Sequence, residues 1–227
     1  MSVILDIDLD YFALFEHPGR ELDRLLAWAA RPVDFVVQHH HEAYARWRRM
    51  VAAGAIGRPG LIIHADEHHD MMSDRPPANF GSFLYFAMRH WPECRVVWLT
   101  RQPIDHPHMW LSEDAWGAVS SRFECARRLS RQWPKPHLVT LCASPGFIDE
   151  RLSQTLLARI SDWRITAKVC ESPSAKVRDV ARYHKLQAYR PRSCGPRSDA
   201  AGPGHEVGEV AAARRPAPPR ASAKSSS

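Results

Sequence analysis

The chain has 227 residues, of which 44% are hydrophobic and 25% charged, values that suit a globular domain with its own core and exclude collagen-like, wholly disordered and disulfide-stapled miniprotein classes. The net charge of +6 is unevenly spread: from Arg164 onward 13 Lys and Arg face 5 Asp and Glu, whereas residues 1–163 carry 18 against 20. The basicity therefore belongs to the C-terminal segment, and nucleic acid is not the expected partner of the domain before it.

Val3 to Asp10 opens as an apolar strand that passes into strict alternation, which puts Asp6, Asp8 and Asp10 on one face because side chains repeat every two residues. Leucines and Trp28 at helical spacing predict a helix from about Arg20 to Ala30, stopped by Arg31-Pro32. Val33 to Val37 reads as a short strand running into His39-His40-His41-Glu42, then a helix to about Ala53. Leu61 to Asp66 is a second clear strand, ending in the polar cluster Glu67-His68-His69-Asp70. A helix over Asn79–Trp91 follows, with Asn79 a good N-cap by type, then a strand at Arg95–Thr100. Glu113–Gln132 reads as an amphipathic helix, His137–Cys142 as the last strand, and Asp149–Trp163 as a helix with an apolar stripe at Leu152, Leu156, Leu157 and Ile160. This βα alternation predicts a mainly parallel sheet covered by helices in a three-layer α/β/α arrangement.

Two regions organise the chain: a domain over 1–163, and a basic, Ala-, Pro-, Arg- and Ser-rich segment over 164–227 that reads as a disordered tail. No apolar run reaches the roughly 20 residues that cross a bilayer, and acid follows the N-terminus too soon for a signal peptide. A cytoplasmic protein without membrane contact is expected. Cys94, Cys125, Cys142, Cys170 and Cys194 form no Cys-x-x-Cys pair and read as reduced thiols. Cys142 has no evident base beside it and reads as a buried thiol rather than a nucleophile.

Three polar clusters fall at strand ends, where α/β sheets keep their sites. Asp66, His68 and Asp70 alternate by two, so an extended segment directs all three to one side, and Asp8 and Asp10 do the same from the first strand. Converging carboxylates without cations would cost several kcal/mol for each uncompensated buried ion, a cost that divalent metal removes. Carboxylate oxygens and imidazole nitrogens without thiolate suit Mn²⁺ first, then Fe²⁺ or Zn²⁺. Two such ions can activate a water toward an electrophilic carbon, which points to a hydrolase.

Asp66-x-His68-x-Asp70 resembles the Asp-x-His-x-Asp motif of the ureohydrolases, the arginase and agmatinase family, and Asp8-x-Asp10 resembles their Asp-x-Asp motif. The set Leu5-Asp6-Ile7-Asp8-Leu9-Asp10-Tyr11-Phe12, His40-His41-Glu42 and His64 to Asp70 is more similar still to a divergent arginase-like family that includes the peptide arginases. The resemblance spans about residues 1 to 160. It implies an arginase-like α/β/α fold with permuted strand order, because the Asp-x-Asp strand comes first here. It also implies two divalent ions, Mn²⁺ by preference, bridged by Asp8 and Asp66, with His40 and Asp70 completing one site and His68 and Asp10 the other; His39 and His41 remain alternatives to His40. Activated water would convert an arginine residue of a peptide substrate to ornithine and urea; on electrostatic grounds, residual carboxylates such as Glu67 or Asp6 would attract the cationic side chain. The ureohydrolase Gly-Gly-Asp-His segment is replaced by Gln38-His39-His40-His41, and the family's guanidinium-holding glutamate and shuttle histidine have no match.

Bland readings stand beside these. Asp6, one step deeper along its strand, reads equally well as structural; His64 as a packing or supporting residue; His69 as facing away from its neighbours' side; His106 and His108 as surface residues. Rival functions are a related amide or guanidino hydrolase, and a non-catalytic, metal-stabilised binding protein that docks partners through its basic tail.

Overall fold

The computed structural model describes residues 1–161. Six strands, β1 (Ser2–Asp8), β2 (Phe35–Val37), β3 (Pro59–Ala65), β4 (Arg95–Leu99), β5 (Phe123–Ala126) and β6 (Leu138–Cys142), form one sheet in the order β2-β6-β1-β3-β4-β5. Every pairing is parallel, so the sheet is wholly rather than mainly parallel, as crossover connections favour. The helices are α1 (Pro18–Ala29), α2 (His40–Ala52), α3 (Phe83–His90), α4 (Glu113–Gly117) and α5 (Glu150–Ser161). The tail expected over 164–227 lies outside the described residues, as do Trp163, Cys170 and Cys194.

Alternation along the strands divides the core into two apolar layers. Ile4, Ile62, Val96 and Leu138 pack with Ala43, Tyr44 and Trp47 of α2, with Phe83, Leu84 and Met88 of α3, and with Ala115 of α4. Leu5, Ile7, Ile63, Val139 and Leu141 pack on the other side with Leu22, Leu25 and Leu26 of α1 and Leu156 and Ile160 of α5. In α1 the residues Leu22, Leu25, Leu26 and Ala29 recur at i, i+3, i+4 and i+7 and are buried, the spacing that lays one stripe on a sheet. The three-layer arrangement follows from these two clusters.

Several stretches differ from the sequence expectation: the first strand stops at Asp8, with Asp10 opening a 3₁₀ turn, and the segment after β3 is not extended through Asp70, which is left-handed. Glu113–Gln132 is not one helix: α4 ends at Gly117, a 3₁₀ turn covers Ser120–Arg122, and Phe123–Ala126 adds a strand to the sheet. The unpaired backbone edge of β4 wins over helical periodicity, since Val96 to Leu99 pair with Phe123 to Ala126 and buried backbone groups must find partners. Arg122 secures the segment by donating to the carbonyls of Cys94 at 2.7 Å, Met88 at 3.3 Å and Ala118 at 3.2 Å. The helix expected from Asn79 begins at Phe83 with Ser82 as its N-cap. Asn79 instead closes a local turn, its side-chain oxygen accepting the Gly81 N–H at 3.0 Å.

The topology creates a crevice between β1 and β3. The chain leaves β1 for α1 on one face and leaves β3 for α3 on the other. Adjacent parallel strands whose connections part in this way open a gap beyond their carboxyl ends. Asp8 ends β1, and Asp66 directly follows β3.

Candidate metal centre

Register decides which polar side chains meet. Asp6 of β1 lies between Thr140 of β6 and His64 of β3, and Asp8 lies beside Cys142. All point to the side of Ile4 and Ile62, toward α2 and α3, because they share those residues' parity along the strands. His40, the first residue of α2, reaches into the same space. Phe83 of α3 floors it, stacked on the His40 ring at 5.0 Å and 5° and edge-on to His64 at 5.6 Å.

The contacts within this patch are close. His40 Nε2 lies 2.7 Å from Asp8 Oδ2, 3.2 Å from Asp66 Oδ2 and 3.9 Å from Asp70 Oδ2. His68 Nδ1 lies 3.1 Å from Asp10 Oδ2 and 3.4 Å from Asp66 Oδ1. Two sets of donors, His40–Asp66–Asp70 and Asp10–Asp66–His68, each gather within 4.8 Å, and Asp66 is common to both. The first, inner set is fully buried, whereas the second, outer set opens at His68, which is 14% exposed. A third gathering joins Asp8, His40 and Cys142, and a fourth Asp6, His40 and His64.

All six residues expected as metal ligands, Asp8, Asp10, His40, Asp66, His68 and Asp70, thus converge. Among the three neighbouring histidines it is His40 whose nitrogens enter these sets; His39 and His41 stack on each other at 5.8 Å instead. Glu67 is half-buried beside them and belongs to none of the four sets. His69 turns away, its Nδ1 accepting the Met71 N–H at 3.0 Å and its Nε2 lying 3.3 Å from Asp105.

Asp6 and His64 are more involved than their sequence positions suggested. Asp6 Oδ2 lies 2.9 Å from His40 Nδ1 and 3.0 Å from His64 Nδ1, while its Oδ1 accepts the Thr140 hydroxyl at 2.6 Å. Ser144, in the left-handed region at φ 43°, donates its hydroxyl to Asp8 Oδ2. Asp70 is also left-handed, at φ 48°, a conformation Asp adopts more readily than most residues. Nothing local flagged Thr140; period-two alternation already put Asp6 in line with Asp8, and His64 in line with Asp66.

The electrostatics follow from five buried carboxylates meeting three imidazoles. Burial works against ionisation of Asp66, but His64, His40 and His68 outweigh it and hold that carboxyl well below its ordinary range. Burial and the negative Asp66 raise Asp70 to about 7, and burial with Asp8 and Asp66 raises Asp10. Burial opposes protonation of His64 and His68, yet the flanking carboxylates raise them to about 10 and about 12. The Cys142 thiol is pushed up to about 12, chiefly by burial, so it stays protonated and no nucleophile.

The donor set fits divalent metal. Asp10 Oδ1, Asp70 Oδ2 and His64 Nε2 are buried and have no hydrogen-bond partner among the described residues, a costly state for groups facing only one another. Carboxylate and imidazole donors without thiolate in the two shared sets match Mn²⁺, Fe²⁺ or Zn²⁺. No protein-family model, no curated protein and no solved structure matches this chain. No helix among the described residues is long and apolar enough to cross a membrane.

Proposed function

We propose that the chain is a binuclear metal-dependent hydrolase of a guanidino group, arginase-like in its site, that converts arginine residues of a peptide to ornithine and releases urea. The observation that carries this reading is Asp66, one carboxylate whose two oxygens belong to two separate donor sets: Oδ2 beside His40 and Oδ1 beside His68. A shared carboxylate is what holds two cations close together. His40, Asp70 and Asp8 would hold the inner ion, His68 and Asp10 the outer, with Asp66 common to them; Mn²⁺ is the preferred metal. Bound there, the pair supplies Lewis acidity and a water made nucleophilic at neutral pH.

The protein's own groups do the rest. Ser144 and Thr140 hold Asp8 and Asp6 by hydroxyl donation, which keeps the carboxylates from rotating. The outer set, open at His68, is where substrate enters. Glu67, half-buried at that opening, attracts a cationic side chain and orients its planar guanidinium, which favours arginine over neutral amides. The motif resemblance supports the same substrate class and, with the Asp-x-Asp strand first, a permuted ureohydrolase-type strand order.

The test is elemental mass spectrometry on protein loaded with Mn²⁺ and desalted, followed by assay of arginine peptides for urea and ornithine. Two ions per chain in the wild type and none in Asp66→Asn, with urea release tracking the metal, is the expected result. Retention of both ions by Asp66→Asn overturns the shared-carboxylate reading. Two bound ions without urea from any arginine peptide would favour a related amide hydrolase.

A further inference from the structure

Resting on the metal reading above, the geometry points to one more ligand: we propose that His64 binds the inner ion through Nε2, with Asp6 holding its Nδ1. The argument starts from Asp6. Its Oδ2 faces Nδ1 of His40 at 2.9 Å and Nδ1 of His64 at 3.0 Å. The contact with His64 is a hydrogen bond that holds hydrogen on its Nδ1 and leaves its Nε2 with the lone pair outward; His40 Nδ1 is close to Asp6 without being aligned as a hydrogen bond, and His40 Nε2 meets Asp8 Oδ2 at 2.7 Å.

Both Nε2 atoms then look at the same pair of oxygens from almost equal distances. His40 Nε2 lies 3.2 Å from Asp66 Oδ2 and 3.9 Å from Asp70 Oδ2; for His64 Nε2 the separations are 3.1 and 3.8 Å. Two donors about 2.1 Å from one ion are about 3.0 Å apart at a right angle and about 3.4 Å apart at the tetrahedral angle. The two separations to Asp66 fall between those values, and the two to Asp70 exceed the larger by about 0.4–0.5 Å. His64 is fully buried, and its Nε2 has no hydrogen-bond partner among the described residues, as is true of Asp70 Oδ2. With its proton on Nδ1, His64 Nε2 is an acceptor like Asp70 Oδ2, and a cation between them takes the place of the proton that the surrounding carboxylates otherwise hold on the ring. An ion held by His40 on one side is placed to serve His64 on the other, giving an inner site of two imidazoles and two carboxylates, with Asp8 beside it.

The two-imidazole site makes a prediction that a merely supporting His64 does not. A histidine bound through Nε2 to Co²⁺ carries its Nδ1–H close to the paramagnetic ion, whereas a supporting histidine keeps an ordinary chemical shift. The full-length, ¹⁵N-histidine-labelled protein with His68→Ala, loaded with Co²⁺, should give two slowly exchanging, strongly shifted imidazole N–H signals in its proton spectrum, from the buried His40 and His64 beside Asp6. His64→Gln should lose one and keep the other. A single such signal in the His68→Ala protein, where the outer-site imidazole cannot contribute, overturns the proposal, and that count decides even if His64→Gln does not fold. Failure to hold Co²⁺ overturns this assignment together with the metal reading. Two shifted signals without urea release from arginine peptides by the wild-type protein leave His64 a ligand and remove the hydrolase reading alone.

Discussion

Asp70→Asn should have opposite effects on the metal-free and the metal-loaded protein. Asp70 is 3% exposed, faces Asp66, and its carboxyl is raised to about 7 by burial and by that neighbouring charge. A carboxyl whose pKa is raised on folding binds more protons in the folded than in the unfolded chain, so its contribution to stability falls as pH rises from near 3.8 to near 7. At about 1.4 kcal/mol per pH unit, the ionised side chain costs the metal-free fold on the order of 4 kcal/mol at pH 8 and less than half of that at pH 5. Asparagine keeps the shape and removes the charge, and it suits the left-handed backbone at φ 48°. The chelator-treated variant should therefore unfold at higher urea than wild type, with a gap that widens by about 3 kcal/mol between pH 5 and pH 8. Mn²⁺ should reverse the order, since stabilisation by a ligand grows with its affinity for the folded state and the variant lacks an inner-site carboxylate. Urea titrations at both pH values, with and without Mn²⁺, give all four numbers. A metal-free variant no more stable than wild type at pH 8 refutes the charge-repulsion argument; an unchanged Mn²⁺ effect refutes Asp70 as a ligand.

Phe83→Ala removes a fully buried ring from beneath His40 and His64; it should cost about 3–5 kcal/mol in urea unfolding and lower Mn²⁺ affinity by roughly 10- to 100-fold, and tight metal binding at wild-type level would show that the floor does not set the ring. Glu67→Gln should raise KM for an arginine peptide about tenfold with kcat little changed, from the loss of about 1.5 kcal/mol of charge-assisted binding; an unchanged KM removes Glu67 from substrate recognition. Arg122→Ala withdraws the donor shared by the Cys94, Met88 and Ala118 carbonyls. It should destabilise by about 2 kcal/mol and speed hydrogen exchange along β4 and β5 while metal content stays at the wild-type value, so loss of metal would contradict the independence of that edge from the centre.

What could be read without coordinates was what lies within one strand or helix. Alternation by two is a local property, so the common face of Asp6 and Asp8 followed from spacing alone; Asp10 opens a 3₁₀ turn and the segment after Ala65 bends to a left-handed Asp70, so Asp10, His68 and Asp70 reach the site through loop geometry rather than alternation. The helix over Glu113–Gln132 failed for the opposite reason. Its apolar residues do recur at helical intervals, but Phe123 to Ala126 pair with β4, and a free sheet edge offers four residues' worth of backbone partners that no local periodicity registers. Asn79 misled in a smaller way, because its side chain serves an early turn and equally a helix cap.

Asp6 and His64 mark the boundary more sharply. Each was visibly on the metal side of its own strand, yet nothing in either segment says that the two strands are neighbours, or that Asp6 stands opposite His64 rather than Ala65. That depends on β6 lying between β1 and β2, leaving β3 to take the other side of β1, and on a register shift near Ser2 that aligns Asp6 with His64. Slipping that pairing by one residue would turn one of the two side chains to the opposite apolar layer. His40, from an element on neither strand, would then lose the carboxylate beside its Nδ1. The centre therefore depends on long-range strand order as much as on its ligands, and a variant that disturbs the β1–β3 register without touching a single ligand, such as Ile63→Asp in the buried layer opposite, should lose metal in proportion to the fold it loses. If such a variant remained folded and still bound two ions, the register would not be what assembles the site.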